Sequence, residues 1–67
     1  MQYLFVGGTD DGNWINVDGE PETVTREDLY LRMELTITGK MVVYCLDGFT
    51  EDDVIYRLMT KYGSQGK

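Results

Sequence analysis

The chain has no histidine and one cysteine, Cys45, in 67 residues. Without an imidazole there is no ordinary general base at neutral pH, and the hydroxyls and the thiol have nothing to activate them as nucleophiles. One cysteine cannot close an internal disulfide, and with no histidine it cannot complete a structural zinc site. Cations are scarce too: six Lys and Arg stand against twelve Asp and Glu, a net charge of −6. Phosphate backbones and anionic lipid both require clustered Lys and Arg, so neither direct nucleic-acid binding nor membrane binding is expected. No apolar run approaches the roughly 18 residues that span a bilayer. The opening, Met1-Gln2-Tyr3-Leu4-Phe5-Val6-Gly7-Gly8, lacks the basic start and apolar stretch of a secretion signal. A cytoplasmic location, compatible with an unpaired thiol, is the expectation.

What is present amounts to one small domain. A 42% hydrophobic content supplies one modest core, and a core of this size contributes no more than about 3–5 kcal/mol net. Self-association, as a homodimer, stays open as a way to bury more apolar surface. The charge is uneven. Residues 1–28 carry seven acids (Asp10, Asp11, Asp18, Glu20, Glu22, Glu27, Asp28) against the single base Arg26, whereas residues 29–67 are balanced.

Hydrophobic periodicity predicts an α+β fold: an antiparallel sheet of about four strands with one C-terminal helix packed on one face. Residues 1–63 form the domain and 64–67 a flexible tail. Residues 3–6 and 14–17 read as a hairpin around Asp11-Gly12. Residues 18–28 read as an acidic loop containing the only proline, Pro21, with a brief extended piece at Thr23-Val24-Thr25. Over residues 29–38, Leu29, Leu31, Met33, Leu35 and Ile37 alternate with polar residues and Tyr30, the pattern of a half-buried strand. A two-residue turn within 38–40 then places Val42, Tyr44 and Leu46 on the same buried face. Met41, Val43 and Cys45 fall opposite, so this strand needs cover on both sides.

The helix has the clearest start. Thr50 is an N-cap with Asp53 completing a capping box, and Phe49 is placed to staple onto Val54. Glu51, Asp52 and Asp53 sit where the helix dipole favours negative charge. Val54, Ile55, Leu58, Met59 and Tyr62 make one apolar stripe. Asp53 and Arg57 are spaced as an i,i+4 pair, and Gly63 is a C-terminal stop. The expected core contains Leu4 or Phe5, Ile15, Leu31, Met33, Leu35, Val42, Tyr44, Val54, Leu58 and Met59.

Motifs with chemistry are few. Cys45 reads as a buried small hydrophobe. The paired carboxylates are explained by turns and caps, and a chain this short has little volume for a catalytic cleft. The loops around Gly12 and Gly19 do not match the calcium-loop pattern, and Gly7-Gly8 has neither phosphate-loop spacing nor a nearby lysine. The chain is therefore not read as an enzyme, and no cofactor or metal is expected.

The start Tyr3-Leu4-Phe5-Val6-Gly7-Gly8-x-x-Asp11-Gly12-x-Trp14-Ile15-x-Val17 resembles the opening of many small uncharacterised phage and prophage accessory proteins. The run Val43 to Thr50, followed by Val54-Ile55, Leu58 and Tyr62, is similar to their C-terminal half. The resemblance implies an origin, a phage gene acting in a bacterial cytoplasm, and carries no catalytic residue onto this chain. Proteins of that type bind and block host factors.

The expected function is accordingly binding and inhibition or modulation of a bacterial host protein, such as an anti-phage defence complex. Two alternatives stay open: an acidic mimic of nucleic acid acting on a DNA- or RNA-binding protein, and a self-assembling or virion-associated piece using the Met41-Val43-Cys45 face. The expected partner contacts are Asp10, Asp11, Trp14, Asp18, Glu20, Glu22, Tyr30, Arg32 and Tyr56. Of these, Tyr30 is placed beside Arg32 on the outer face of its strand and Tyr56 off the apolar stripe of the helix.

Overall fold

The computed structural model describes residues 1–36 and 39–62, with the backbone alone at 61 and 62. Five strands form one sheet: β1 (Gln2–Val6), β2 (Trp14–Asn16), β3 (Thr23–Thr25), β4 (Leu29–Leu35) and β5 (Met41–Leu46). A short helix, α1 (Glu51–Arg57), follows, and a π-helical segment, Leu58–Tyr62, continues from it. The architecture is α+β, as expected. Gly63 and the tail at 64–67 lie outside the described residues.

The sheet order is β2-β1-β5-β4-β3. β1 pairs with β5 in parallel, so the sheet is mixed rather than wholly antiparallel. The physical reason lies in β5, which is apolar on both faces and belongs at the centre. The hairpin with β4 covers one of its edges, and β1, brought in with its own hairpin partner β2, covers the other.

The register between β4 and β5 differs from the sequence expectation by one residue. Leu35 lies opposite Met41 and Met33 opposite Val43. Five residues, 36–40, separate the last pair, and an odd number cannot be closed by a two-residue turn. A one-residue change exchanges every side chain between faces. Met41, Val43 and Cys45 therefore share a face with Leu31, Met33 and Leu35, while Val42, Tyr44 and Leu46 share the other with Tyr30 and Arg32.

Two cores result. On one side Leu4, Val6, Leu35, Val43, Cys45 and Val54 form an aliphatic cluster, with Met33, Met41, Phe49, Ile55 and Leu58 partly buried against it. Val54 is the fully buried contribution of α1. On the other side Tyr3, Phe5, Tyr30 and Tyr44 form an aromatic cluster. Its rings meet edge-to-face between Tyr3 and Tyr44 at 5.3 Å and between Phe5 and Tyr30 at 4.8 Å.

Among the described residues no helix covers the aromatic core; the connection from β2 to β3 does. These two strands lie at opposite edges of the sheet, so the chain between them must cross a face. Tyr3 Oη donates to the carbonyl of Gly19 at 3.3 Å, and Tyr44 Oη donates to that of Pro21 at 2.8 Å. Arg32 then pairs with Glu20, with Nη2 at 3.0 Å from Oε1, and the Arg32 N–H donates to the Glu22 carbonyl. The acidic loop is thus a strap over β1, β5 and β4. Buried phenol rings suit this task because each combines apolar area with one donor for a strap carbonyl.

Tyr30 and Met59 depart from the sequence expectation. Tyr30 is fully buried and so is no outer-face contact residue. Met59 is 70% exposed rather than core. Met59 lies in the π-helical segment that follows α1.

Candidate partner-binding surface

The loop joining β1 to β2 carries Gly7 and Gly8 at φ of 86° and 67°. Glycine-rich turns of this kind present backbone N–H groups to anions. Here internal groups occupy the donors. The Gly7 N–H donates to Asp11 Oδ1 at 2.7 Å, and the Thr9 N–H and hydroxyl both donate to Asp28 Oδ2 at 2.9 Å. The Asp10 N–H donates to the Tyr30 hydroxyl oxygen at 3.0 Å, and that hydroxyl donates to the Gly7 carbonyl at 2.8 Å. The Thr9 N–H, with the Thr9 hydroxyl second, holds the Asp28 carboxyl below its usual value. Gly8 is required by this packing: a Cβ there would lie 2.6 Å from Asp28 Oδ2 and 2.9 Å from the Tyr30 hydroxyl.

Several acids expected to meet a partner are thereby engaged inside the molecule. Asp10 accepts from Arg26 Nε at 2.7 Å, with only 13% of its side chain exposed. Asp11 accepts from Gly7 and pairs with Arg57 at 3.6 Å. Glu20, on the strap, pairs with Arg32 of β4. Asp18 and Glu22 are exposed. The acidic N-terminal region therefore divides into carboxylates that build loops and carboxylates that face solvent, and position in the sequence does not separate the two.

The titratable groups of the cores are set by burial. Desolvation, as the leading cause, pushes the phenols of Tyr3, Tyr30 and Tyr44 above the ordinary tyrosine value and raises the Cys45 thiol. Cys45 is buried in the aliphatic cluster, where a protonated thiol is inert. Among the described residues, no group of three or more His, Cys, Asp or Glu side chains is placed to hold a metal ion, and no helix is long and apolar enough to cross a membrane.

Exposed apolar area collects elsewhere. Trp14 is 58% exposed and Tyr56 is 69% exposed, joining Met59. Trp14 lies opposite Leu4 in the β1–β2 ladder, which places it on the same side of the sheet as the aliphatic core. Tyr56 lines an open groove of about 550 Å³ together with Phe49, Asp53, Arg57 and Thr60. The groove has a defined floor. The Arg57 guanidinium stacks 4.9 Å from the centre of the Phe49 ring and reaches Asp11 at 3.6 Å, tying α1 to the β1–β2 loop. Asp53 completes the capping box: its carboxylate accepts from the Thr50 N–H at 3.1 Å, and its own N–H donates to Thr50 Oγ1 at 3.2 Å. The Thr50 N–H, followed by the Thr50 hydroxyl, holds the Asp53 carboxyl below its usual value.

Of the nine expected contact residues, the structure exposes Trp14, Asp18, Glu20, Glu22 and Tyr56, leaves Asp10, Asp11 and Arg32 half-buried in ion pairs, and buries Tyr30. Phe49, Arg57, Thr60 and Met59 were not among them. Sequence assigns Phe49 and Arg57 to local helix roles, as staple and i,i+4 partner. Their contact with each other, and that of Arg57 with Asp11, depends on the loop that α1 meets, which helix periodicity does not encode.

In comparisons with known proteins, no family model matches the chain, and neither does any curated protein or solved structure.

Proposed function

We propose that this is a protein-binding module of the phage accessory type, which binds a bacterial host protein and inhibits or modulates it. The carrying observation is the exposure of Trp14, Tyr56 and Met59 on regular secondary structure, in a small chain whose other described aromatics are buried or half-buried. Exposed tryptophan and tyrosine on a rigid scaffold are efficient interface anchors, because they bring large area at little entropic cost. A nucleic-acid mimic draws less support, since Asp10, Asp11, Glu20 and Asp28 are bound to groups of the protein itself. Self-assembly through Met41, Val43 and Cys45 draws less still, because Val43 and Cys45 are buried in the aliphatic core.

The test is an affinity pull-down from bacterial lysate with the tagged protein, washed at low and at high salt. One host protein retained by the parent through high salt, and reduced at least about tenfold with Trp14→Ala or Tyr56→Ala, is the expected result. Recovery of the bait alone, or equal recovery by both variants, would sink the reading.

A further inference from the structure

We infer that the open edge of β2 pairs with the same edge of a second copy of this chain, joining two sheets antiparallel across a two-fold axis at Ile15.

β2 ends the strand order, and among the described residues nothing pairs with its outer side. The Phe5 N–H donates to the Asn13 carbonyl at 2.9 Å, and the Val17 N–H donates to the Met1 carbonyl at 2.8 Å. Bonded and non-bonded pairs alternate along an antiparallel ladder, so the backbone groups of Ile15 turn toward β1 and those of Trp14 and Asn16 turn outward. Donors and acceptors at that spacing are the template for another extended strand. A second copy matches them by symmetry. With Ile15 opposite its counterpart, Trp14 of each copy meets Asn16 of the other, and every outward donor finds an acceptor.

Side chains favour this edge. In this register Trp14, 58% exposed in the monomer, stands on the diagonal from its counterpart, within reach of an aromatic ring, so pairing covers ring area that is otherwise in water. Residues 12–17 carry no charge, and Asp18 falls opposite Gly12 rather than opposite its own counterpart. The other edge strand, β3, is flanked by Pro21, Glu22 and Arg26, residue types that keep sheet edges apart, and its Arg26 is held by Asp10. The net charge of −6 opposes association only weakly at physiological salt, where separated exposed charges are screened. The paired segment is short, so the dimer is reversible and concentration-dependent. A host protein that engages Trp14 competes with the second copy for the same ring.

The experiment is sedimentation velocity of the purified chain over a concentration series, with the emission of Trp14, the single tryptophan, read in parallel. A monomer–dimer equilibrium is expected, with emission shifting to the blue as the dimer forms. Asn16→Pro removes an outward N–H and nothing from the β1 ladder, and should weaken the dimer at least about tenfold. Asn16→Ala loses the same side chain but keeps the N–H, and should stay within about twofold of the parent. Trp14→Lys leaves the backbone intact and sets like charges across the axis, so it should also dissociate the dimer even where the proline variant fails to fold. Thr25→Pro, the matching change on β3, should have no effect. A monomer at every concentration up to about 1 mM would overturn the assignment. So would a dimer indifferent to Asn16→Pro and Trp14→Lys, one weakened equally by Asn16→Ala, or one lost with Thr25→Pro instead.

Discussion

Tyr30 donates its hydroxyl proton to the Gly7 carbonyl oxygen at 2.8 Å, from a strand 23 residues further along the chain. The Tyr30 hydroxyl oxygen in turn accepts the Asp10 N–H, so one buried phenol closes both ends of the turn that begins the β1–β2 loop. This contact explains why an alternation that reads as one buried and one solvent-facing side has an aromatic residue on its second side. The second side is a core, and Tyr30 is the member that fastens a loop to it.

Replacing Tyr30 with Phe keeps the ring and removes both hydrogen bonds. A buried carbonyl and an amide lose their partner, which costs about 1–3 kcal/mol. Chemical denaturation should show that loss, and hydrogen exchange at the Asp10 amide should accelerate relative to the β5 amides. A Tyr30→Phe variant with parental stability and unchanged exchange at Asp10 would show that the hydroxyl does not hold the loop.

Acid should destabilise the fold through Asp28 and Asp53. Both carboxyls lie below their usual 3.8 in the folded protein. The unfolded chain therefore takes up protons at a pH where the folded chain does not. Their stabilisation is present above the ordinary carboxylate value and is lost as pH falls through the lowered folded values. Thermal melts from pH 6 down to about 2.5 should show a steeper decline for the parent than for Asp28→Asn, which has no charge to titrate at that position. Parallel curves would remove Asp28 from the account.

Leu35 and Met59 provide the sharpest contrast between the two readings of the core. Leu35 is fully buried in the aliphatic cluster, so Leu35→Ala should cost about 2–5 kcal/mol, enough to unfold much of a protein this small. Met59, which the sequence pattern also places inside, is largely exposed, and Met59→Ala should change stability by less than about 0.5 kcal/mol. Comparable losses in the two variants, measured by denaturant melts, would mean that the helical stripe continues unbroken past Leu58.

Element identity was legible in this sequence because it is set by short-range pattern. Thr50 and Asp53 form the capping box that their spacing announces. Phe49 lies against the same cluster as Val54, and the strand at residues 41–46, whose two-sided apolar content called for a central place or other cover, is the central one. The brief extended piece at Thr23-Val24-Thr25 is β3. What the sequence alone determined, then, was which segments extend, which one coils, and that one strand must be covered twice.

Tertiary structure decided the rest. The parallel pairing of β1 with β5 comes from which edge of the central strand was left open, a question of assembly rather than propensity. The face assignment of β4 and β5 turned on a single residue of turn length, because a strand's side chains change sides at every step. The roles of the acids were decided at longer range still. Asp10, Asp11, Glu20 and Asp28 became internal fasteners because Arg26, Arg57, Arg32 and Thr9 arrive beside them from other parts of the chain. Local composition can count carboxylates, but only the three-dimensional neighbours of each one decide whether it meets the protein or the solvent.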